Sequence, residues 1–134
     1  MAALIDTSVL IEAERGRLDL EAFTAQRADE EFCLSVITAS ELLHGVHRAA
    51  TPAQQSVRSA FVEGILEGFP ILPIDLATAR THSRIWAQLA AEGKLLEAHD
   101  LWLAATCIAH GYVMISANAR DFERVPGLTL EVWA

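Results

Sequence analysis

Apolar and polar positions change period several times along this chain, and each change marks an element. Ala2 to Ile5 is a short apolar run that stops at Asp6, and a mixed stretch through Arg27 follows, with apolar Val9, Leu10 and Ile11 and a turn at Gly16. This pattern predicts a strand and then helix. Phe32-Cys33-Leu34-Ser35-Val36-Ile37 is apolar and partly β-branched, which predicts a second strand. Thr38-Ala39-Ser40-Glu41 has the form of a capping box, Ser/Thr followed three residues later by Glu, and so opens a helix toward Ala50. Pro52 after Thr51 suits a first helical position, predicting a helix to about Glu67 that Gly68 ends.

Phe69 to Ile74 is strand-like, but Pro70 and Pro73 confine it to a sheet edge or fray its start. Asp75 closes it and caps a helix with apolar Leu76, Ala79, Ile85, Trp86 and Leu89, which stops at Gly93. A further helical pattern runs from Asp100 to Ile108 and ends at His110-Gly111. Tyr112 to Ser116 and Leu128 to Trp133 are strands, joined by a short connection. Strand and helix alternate throughout, so the expected fold is α/β: a three-layer α/β/α sandwich around a mainly parallel sheet, forming a single domain over residues 1–134.

Composition changes the picture in two respects. A hydrophobic content of 52% over 134 residues supplies one core and excludes disorder. No apolar run is long enough to span a membrane and the N-terminus carries no signal-like segment, so the expected location is the cytoplasm. Cys33 and Cys107 have neither a C-x-x-C partner nor zinc spacing, and read as small core residues. A formal net charge of -8 argues against a surface that coats nucleic acid non-specifically. A nucleic-acid substrate stays compatible with it if the negative charge is concentrated where cations neutralise it locally, with the nine arginines supplying phosphate contacts.

The acids carry the candidate chemistry. Four of the six aspartates, Asp6, Asp75, Asp100 and Asp121, follow an apolar run or open a helical pattern, and Glu41 is placed similarly. Each has a plain structural alternative: Asp6 and Asp75 as helix caps, Glu41 as the reciprocal half of a capping box, Asp100 as a charge at the positive end of its helix. Nothing beside Asp75 points beyond a cap. Several acids at successive strand-to-helix junctions, however, can converge in one crevice of an α/β fold, and clustered carboxylates need hard cations to hold them together. Oxygen donors of this kind favour Mg²⁺ or Mn²⁺ over zinc. The five histidines are scattered without ligand spacing, and Trp86, Trp102 and Trp133 have apolar neighbours that make packing, not base stacking, their expected role.

Four segments in order make a specific resemblance. Leu4-Ile5-Asp6-Thr7-Ser8-Val9-Leu10-Ile11, Thr38-Ala39-Ser40-Glu41-Leu42-Leu43-His44-Gly45, His99-Asp100-Leu101-Trp102-Leu103-Ala104-Ala105 and Ser116-Ala117-Asn118-Ala119-Arg120-Asp121-Phe122 resemble the signature segments of the PIN-domain family, in particular its VapC-type ribonuclease toxins. The likeness spans essentially the whole chain. It implies a metal-dependent endoribonuclease, a toxin held silent by a small cognate antitoxin protein, acting on RNA and assembling as a homodimer, with Mg²⁺ or Mn²⁺ as cofactor. Carried over by position, Asp6, Glu41 and Asp100 are the core acids, and Asp121 is the favoured fourth ligand, with Asn118 as a neutral oxygen partner. Ser116 stands where the family has Thr or Ser and would hold a site carboxylate or water through its hydroxyl. The segment Leu95-Leu96-Glu97-Ala98 lacks the family's Pro or Gly, which bears on the local loop shape.

Arg120 and Arg124 beside the fourth acid are candidates for an RNA phosphate, with pairing to nearby acids as the alternative. The Pro52 to Glu67 helix, with Val57, Phe61, Ile65 and Leu66, is a candidate dimer or antitoxin surface. A phosphoacceptor receiver domain shares a parallel sheet and clustered aspartates but needs a lysine after a late strand, and the only lysine, Lys94, precedes the Asp100 helix. The remaining alternatives are a non-catalytic interaction module of the same fold and a housekeeping RNA-processing nuclease without an antitoxin.

Overall fold

A computed structural model describes residues 2–133. Strands β1 (Ala2–Ile5), β2 (Glu31–Ser35), β3 (Ile71–Leu72), β4 (Val113–Ser116) and β5 (Leu130–Val132) form one sheet in the order β3-β2-β1-β4-β5, with every pairing parallel. Helices α1 (Thr7–Glu14), α2 (Leu20–Ala25), α3 (Val36–His47), α4 (Pro52–Gly68), α5 (Leu76–Ala91) and α6 (Ala98–His110) connect them. Alternation along the strands sets the two faces, because successive side chains point to opposite sides of a sheet. Ala3, Ile5, Leu34, Val113 and Ile115 pack with Val9 and Leu10 of α1, Leu42 and Val46 of α3 and Val62 of α4. Leu4, Cys33 and Met114 pack on the other face with Ile85 and Leu89 of α5 and Leu101 through Cys107 of α6. The expected layering is therefore observed, with both cysteines buried as free thiols.

Element boundaries differ from the sequence pattern in ways that matter for the site. β2 ends at Ser35, and Val36 and Ile37 already belong to α3. The Ser35 hydroxyl, accepting from the Ile37 N–H at 3.0 Å, is the cap, so the expected capping box of Thr38 and Glu41 does not form. The β-branched residues misled here because Ser35 caps the chain into a helix directly after β2, leaving Val36 42% exposed and Ile37 only partly buried, so the cap overrides a weak propensity. α6 likewise starts earlier than expected, at Ala98, with Glu97 accepting from the N–H groups of His99 and Asp100. β3 is two residues long and lies at the edge, as its prolines require.

Two aromatic and apolar expectations are corrected. Trp86 and Leu76 are exposed at 54% and 67% and do not belong to the core, whereas Trp133 is buried against Phe23 and Phe32. Of the four apolar α4 residues expected at a partner surface, Val57 is open to solvent, whereas Phe61, Ile65 and Leu66 are partly buried at helical spacing beside buried Val62. Among the described residues no helix is long and apolar enough to cross a membrane.

Candidate active site

From β1 the chain steps to β2 and β3 on one side of the sheet and later returns to β4 and β5 on the other. That reversal leaves a crevice at the carboxyl ends of β1 and β4, where open parallel sheets bind ligands. Asp6 is the first residue after β1, and its backbone N–H donates to the Ile115 carbonyl of β4 at 2.8 Å, which pins it across the switch point. Its side chain is 5% exposed, and its Oδ2 accepts from Ser8 Oγ at 2.6 Å and from Ser116 Oγ at 2.9 Å. Asp6 stands at the start of α1 without making a side-chain cap bond, so the capping alternative is not realised. Burial raises its carboxyl above the ordinary value, against the lowering effect of the two hydroxyls.

Glu41 reaches the same crevice from the second turn of α3. Its Oε1 accepts from Thr7 Oγ1 at 3.0 Å, and Thr7 Oγ1 also lies 3.2 Å from the buried Thr38 hydroxyl. Its Oε2 faces His99 Nδ1 at 3.8 Å. Burial raises the Glu41 carboxyl, with the charges of Asp6 and Glu97 acting the same way and the Thr7 hydroxyl and His99 opposing.

Asp100 enters from the first turn of α6, so it follows a helix, α5, and not a strand. Its place at the site comes from the direction of α6, which runs back along the sheet and therefore starts at the carboxyl ends of the strands. Burial, and then the charges of Asp6, Glu97, Glu41 and Asp121, push its carboxyl up to about 7. No described Lys, Arg or His forms an ion pair with Asp6 or Asp100. Asp6 and Asp100 therefore share one field without a protein cation paired to either, whereas Glu41 faces His99 and Asp121 is paired with Arg124.

The remaining sequence candidates lie at the rim. Asp121 is exposed, at the start of a single 3-10 turn over Phe122–Arg124, and acts on Asp100 more weakly than the other acids. Arg124 donates to Asp121 Oδ1 at 3.3 Å and to the Leu95 carbonyl at 3.1 Å, which is the structural pairing weighed against a phosphate role. Arg120 is exposed and Asn118 is exposed, the latter tied by its backbone N–H to Ser116 Oγ at 3.1 Å. Asp75 sits elsewhere as a plain cap, accepting from the Thr78 N–H at 2.8 Å. Sequence reasoning did not single out Thr7, Ser8, Glu97 or His99. Asp6-Thr7-Ser8 and Glu97-Ala98-His99-Asp100 show the signal afterwards: short polar side chains immediately beside each acid, where helix geometry turns them to the same end.

A divalent cation can be tested against this donor set. Among the described residues no three His, Cys, Asp or Glu side chains close into a ready metal cage. Mg²⁺ does not need one, because it keeps several waters and is held by one or two carboxylates. A half-buried carboxyl raised by neighbouring acids, without a cationic side chain beside it, is what such an ion relieves. The donors fit a hard cation.

Residues 3–128 match the PIN domain family. Ribonuclease VapC1 of Rickettsia felis is 34% identical over 128 residues, covering 96% of this chain and 93% of that one. Among solved structures, VapBC-5 of Mycobacterium tuberculosis, a member of the VapBC family of toxin-antitoxin systems, superposes with a TM-score of 0.77 at 30% identity over 98% of this chain and 97% of that one. The DNA-bound VapBC of Salmonella typhimurium gives 0.89 at 27% identity, with both chains fully covered.

Proposed function

For a chain that belongs to the PIN domain family, we infer the activity of an endoribonuclease, the toxin of a toxin-antitoxin pair whose cognate partner is a small antitoxin protein. Its similarity along nearly its whole length to a VapC ribonuclease, and to chains solved within VapBC complexes, supports both halves of that statement. The observation that carries the chemistry is Asp6: a carboxylate buried at the switch point, held by two hydroxyls, in the field of further acids and without a protein cation.

Asp6 and Asp100 would hold Mg²⁺ or Mn²⁺, with Glu41 and Asp121 as further oxygen donors and Asn118 as a neutral one. Such an ion, when bound, supplies Lewis acidity toward a phosphate oxygen and toward water. The chain's own residues do the positioning. Ser8 and Ser116 fix the rotamer of Asp6 by donating to its Oδ2. Thr7 fixes one oxygen of Glu41 in the same manner, and if Glu41 does not itself hold the ion, its second oxygen would orient the attacking water by a hydrogen bond. Burial raises the Glu41 carboxyl and, with the neighbouring acids, pushes Asp100 up to about 7, so each carries its charge at a cost that a bound cation would relieve.

Cleavage of RNA with and without Mg²⁺, and after chelation, tests the assignment. Wild type should cut only with the ion present, and Asp6→Asn and Asp100→Asn should each abolish both cleavage and the rise in melting temperature on adding Mg²⁺. Unchanged ion binding in both variants would sink the site. Induction of the chain alone should arrest growth, and co-expression of the neighbouring small gene should relieve it. A harmless chain that still cuts RNA and captures no partner would favour the housekeeping nuclease, and one without cleavage the non-catalytic module. A homodimer, bringing two such sites together, is part of the same proposal and is read by light scattering.

A further inference from the structure

The crevice that holds the acids continues into a cleft of about 550 Å³ between α1, α3 and α4, with Thr7, Glu41 and His99 at its inner end. Its outer wall carries Arg15, Arg48, Arg58 and His44. Three guanidinium groups against two carboxylates, Glu14 and Glu41, make this wall locally positive in a chain whose net charge is -8. The arginines also differ in what they are free to do. Arg17, Arg27, Arg58 and Arg124 are each paired with a carboxylate, and Arg58 additionally donates to the Gly45 carbonyl at 3.0 Å. Arg15 and Arg48 close the C-terminal ends of α1 and α3, are exposed, and form no ion pair among the described residues.

We propose that Arg15 and Arg48 hold the phosphate backbone of a single-stranded RNA segment lying in this cleft, next to the phosphate that the acids cleave. The proposal rests on the ribonuclease reading and deepens it. An enzyme of this net charge repels a polyanion over most of its surface, so productive binding needs local cations that no carboxylate has already claimed. An unpaired guanidinium presents a forked donor set that matches two phosphate oxygens. The cleft has the volume of a small-ligand pocket, enough for a nucleotide or two of unpaired strand, whereas an A-form helix would have to be met from outside. Glu41 and His99 at one end and two free arginines at the other give the strand a direction away from the acids.

The test uses the intact chain carrying Asp100→Asn, which binds without cutting, and a short fluorescein-labelled single-stranded RNA followed by anisotropy across a salt series. Adding Arg15→Ala with Arg48→Ala should weaken binding about tenfold and lower the slope of log affinity against log salt by ~1.4, about 0.7 for each phosphate lost. Arg80→Ala with Arg84→Ala makes the same change in net charge on exposed, unpaired residues of α5, across the sheet, and should leave both quantities unchanged. Arg15→Lys with Arg48→Lys should restore most of the slope, because each lysine keeps its charge while losing the fork. Equal losses in the two alanine pairs would reduce the effect to overall charge and overturn the proposal. So would normal RNA binding by the Arg15/Arg48 pair together with lost capture of the antitoxin, which would assign the cleft to an acidic segment of that protein. A wild-type chain that cuts no RNA overturns the ribonuclease reading itself, whereas wild-type cutting that both arginine pairs leave intact overturns only this subsite.

Discussion

Asp75 and Asp100 both stand at the start of a helix, and their surroundings push their carboxyls in opposite directions. Asp75, at the N-terminus of α5, accepts from the backbone N–H and hydroxyl of Thr78 and has His110 Nε2 at 3.2 Å; those bonds lower its carboxyl below the ordinary value. Asp100, in the first turn of α6, is half-buried among Asp6, Glu97, Glu41 and Asp121 and is raised to about 7. The backbone N–H groups it would cap are already taken by Glu97. A helix start therefore says little by itself. What separates a cap from a site is whether the local donors satisfy the charge or leave it to something not yet bound.

The sharpest way to break this comparison is to neutralise each aspartate. Asp100→Asn should lower RNA cleavage about 10³-fold, equivalent to about 4 kcal/mol of lost transition-state stabilisation, while Asp75→Ala should leave turnover unchanged and lower stability slightly as a lost cap. A gel-based cleavage assay and a chemical melt measure the two. Comparable activity in both variants would remove the distinction.

Glu41→Gln should lower cleavage about 10²-fold without shifting the melting temperature downward, since the amide oxygen still accepts from Thr7 while the group loses its basic oxygen. A matching loss of stability would return Glu41 to a structural role. Ser116→Ala removes one of the two donors that fix Asp6, so cleavage should fall about tenfold, the effect expected of a residue that orients a ligand. Double replacement with Ser8→Ala should then exceed the product of the single effects, because each hydroxyl compensates for the other.

The smallest expected effect is on the pH dependence of stability in cation-free buffer. A carboxyl raised in the fold, as in Asp100, stabilises the folded state below its unfolded value near 4, and that contribution is lost as pH rises through about 7. A lowered one, as in Asp75, contributes above the unfolded value and is lost as pH falls below it. Asp100→Asn should accordingly flatten the decline between pH about 4 and 7, and Asp75→Ala the decline on the acid side, as read from melting temperature against pH. Identical profiles for both variants would mean that the two aspartates do not differ in the way described.

How much of this was legible beforehand depends on the range of the interaction. Ala2–Ile5 ending at Asp6, Pro52 opening α4, the proline-weakened β3 and Gly111 closing α6 with φ of 71° were all readable, because each depends on neighbours a few residues away. The acids Asp6, Glu41 and Asp100 were likewise marked as candidates by their places along the chain, and the hydroxyl of Ser116 by the resemblance to the family. The false capping box at Thr38 and Glu41 shows the limit: local spacing allowed it, but Ser35 capped α3 ahead of Val36 and Ile37, and Glu41 bonded instead to Thr7, 34 residues away. Only the tertiary structure joined Ser116 to Asp6 across 110 residues, turned Trp86 out of the core and left Arg15 and Arg48 without an ion pair among the described residues in the cleft that leads from Glu41. A sequence records which groups can bond and how nearby residues turn. Which distant charges share a field, and which stay unanswered, is decided by the order in which the strands assemble.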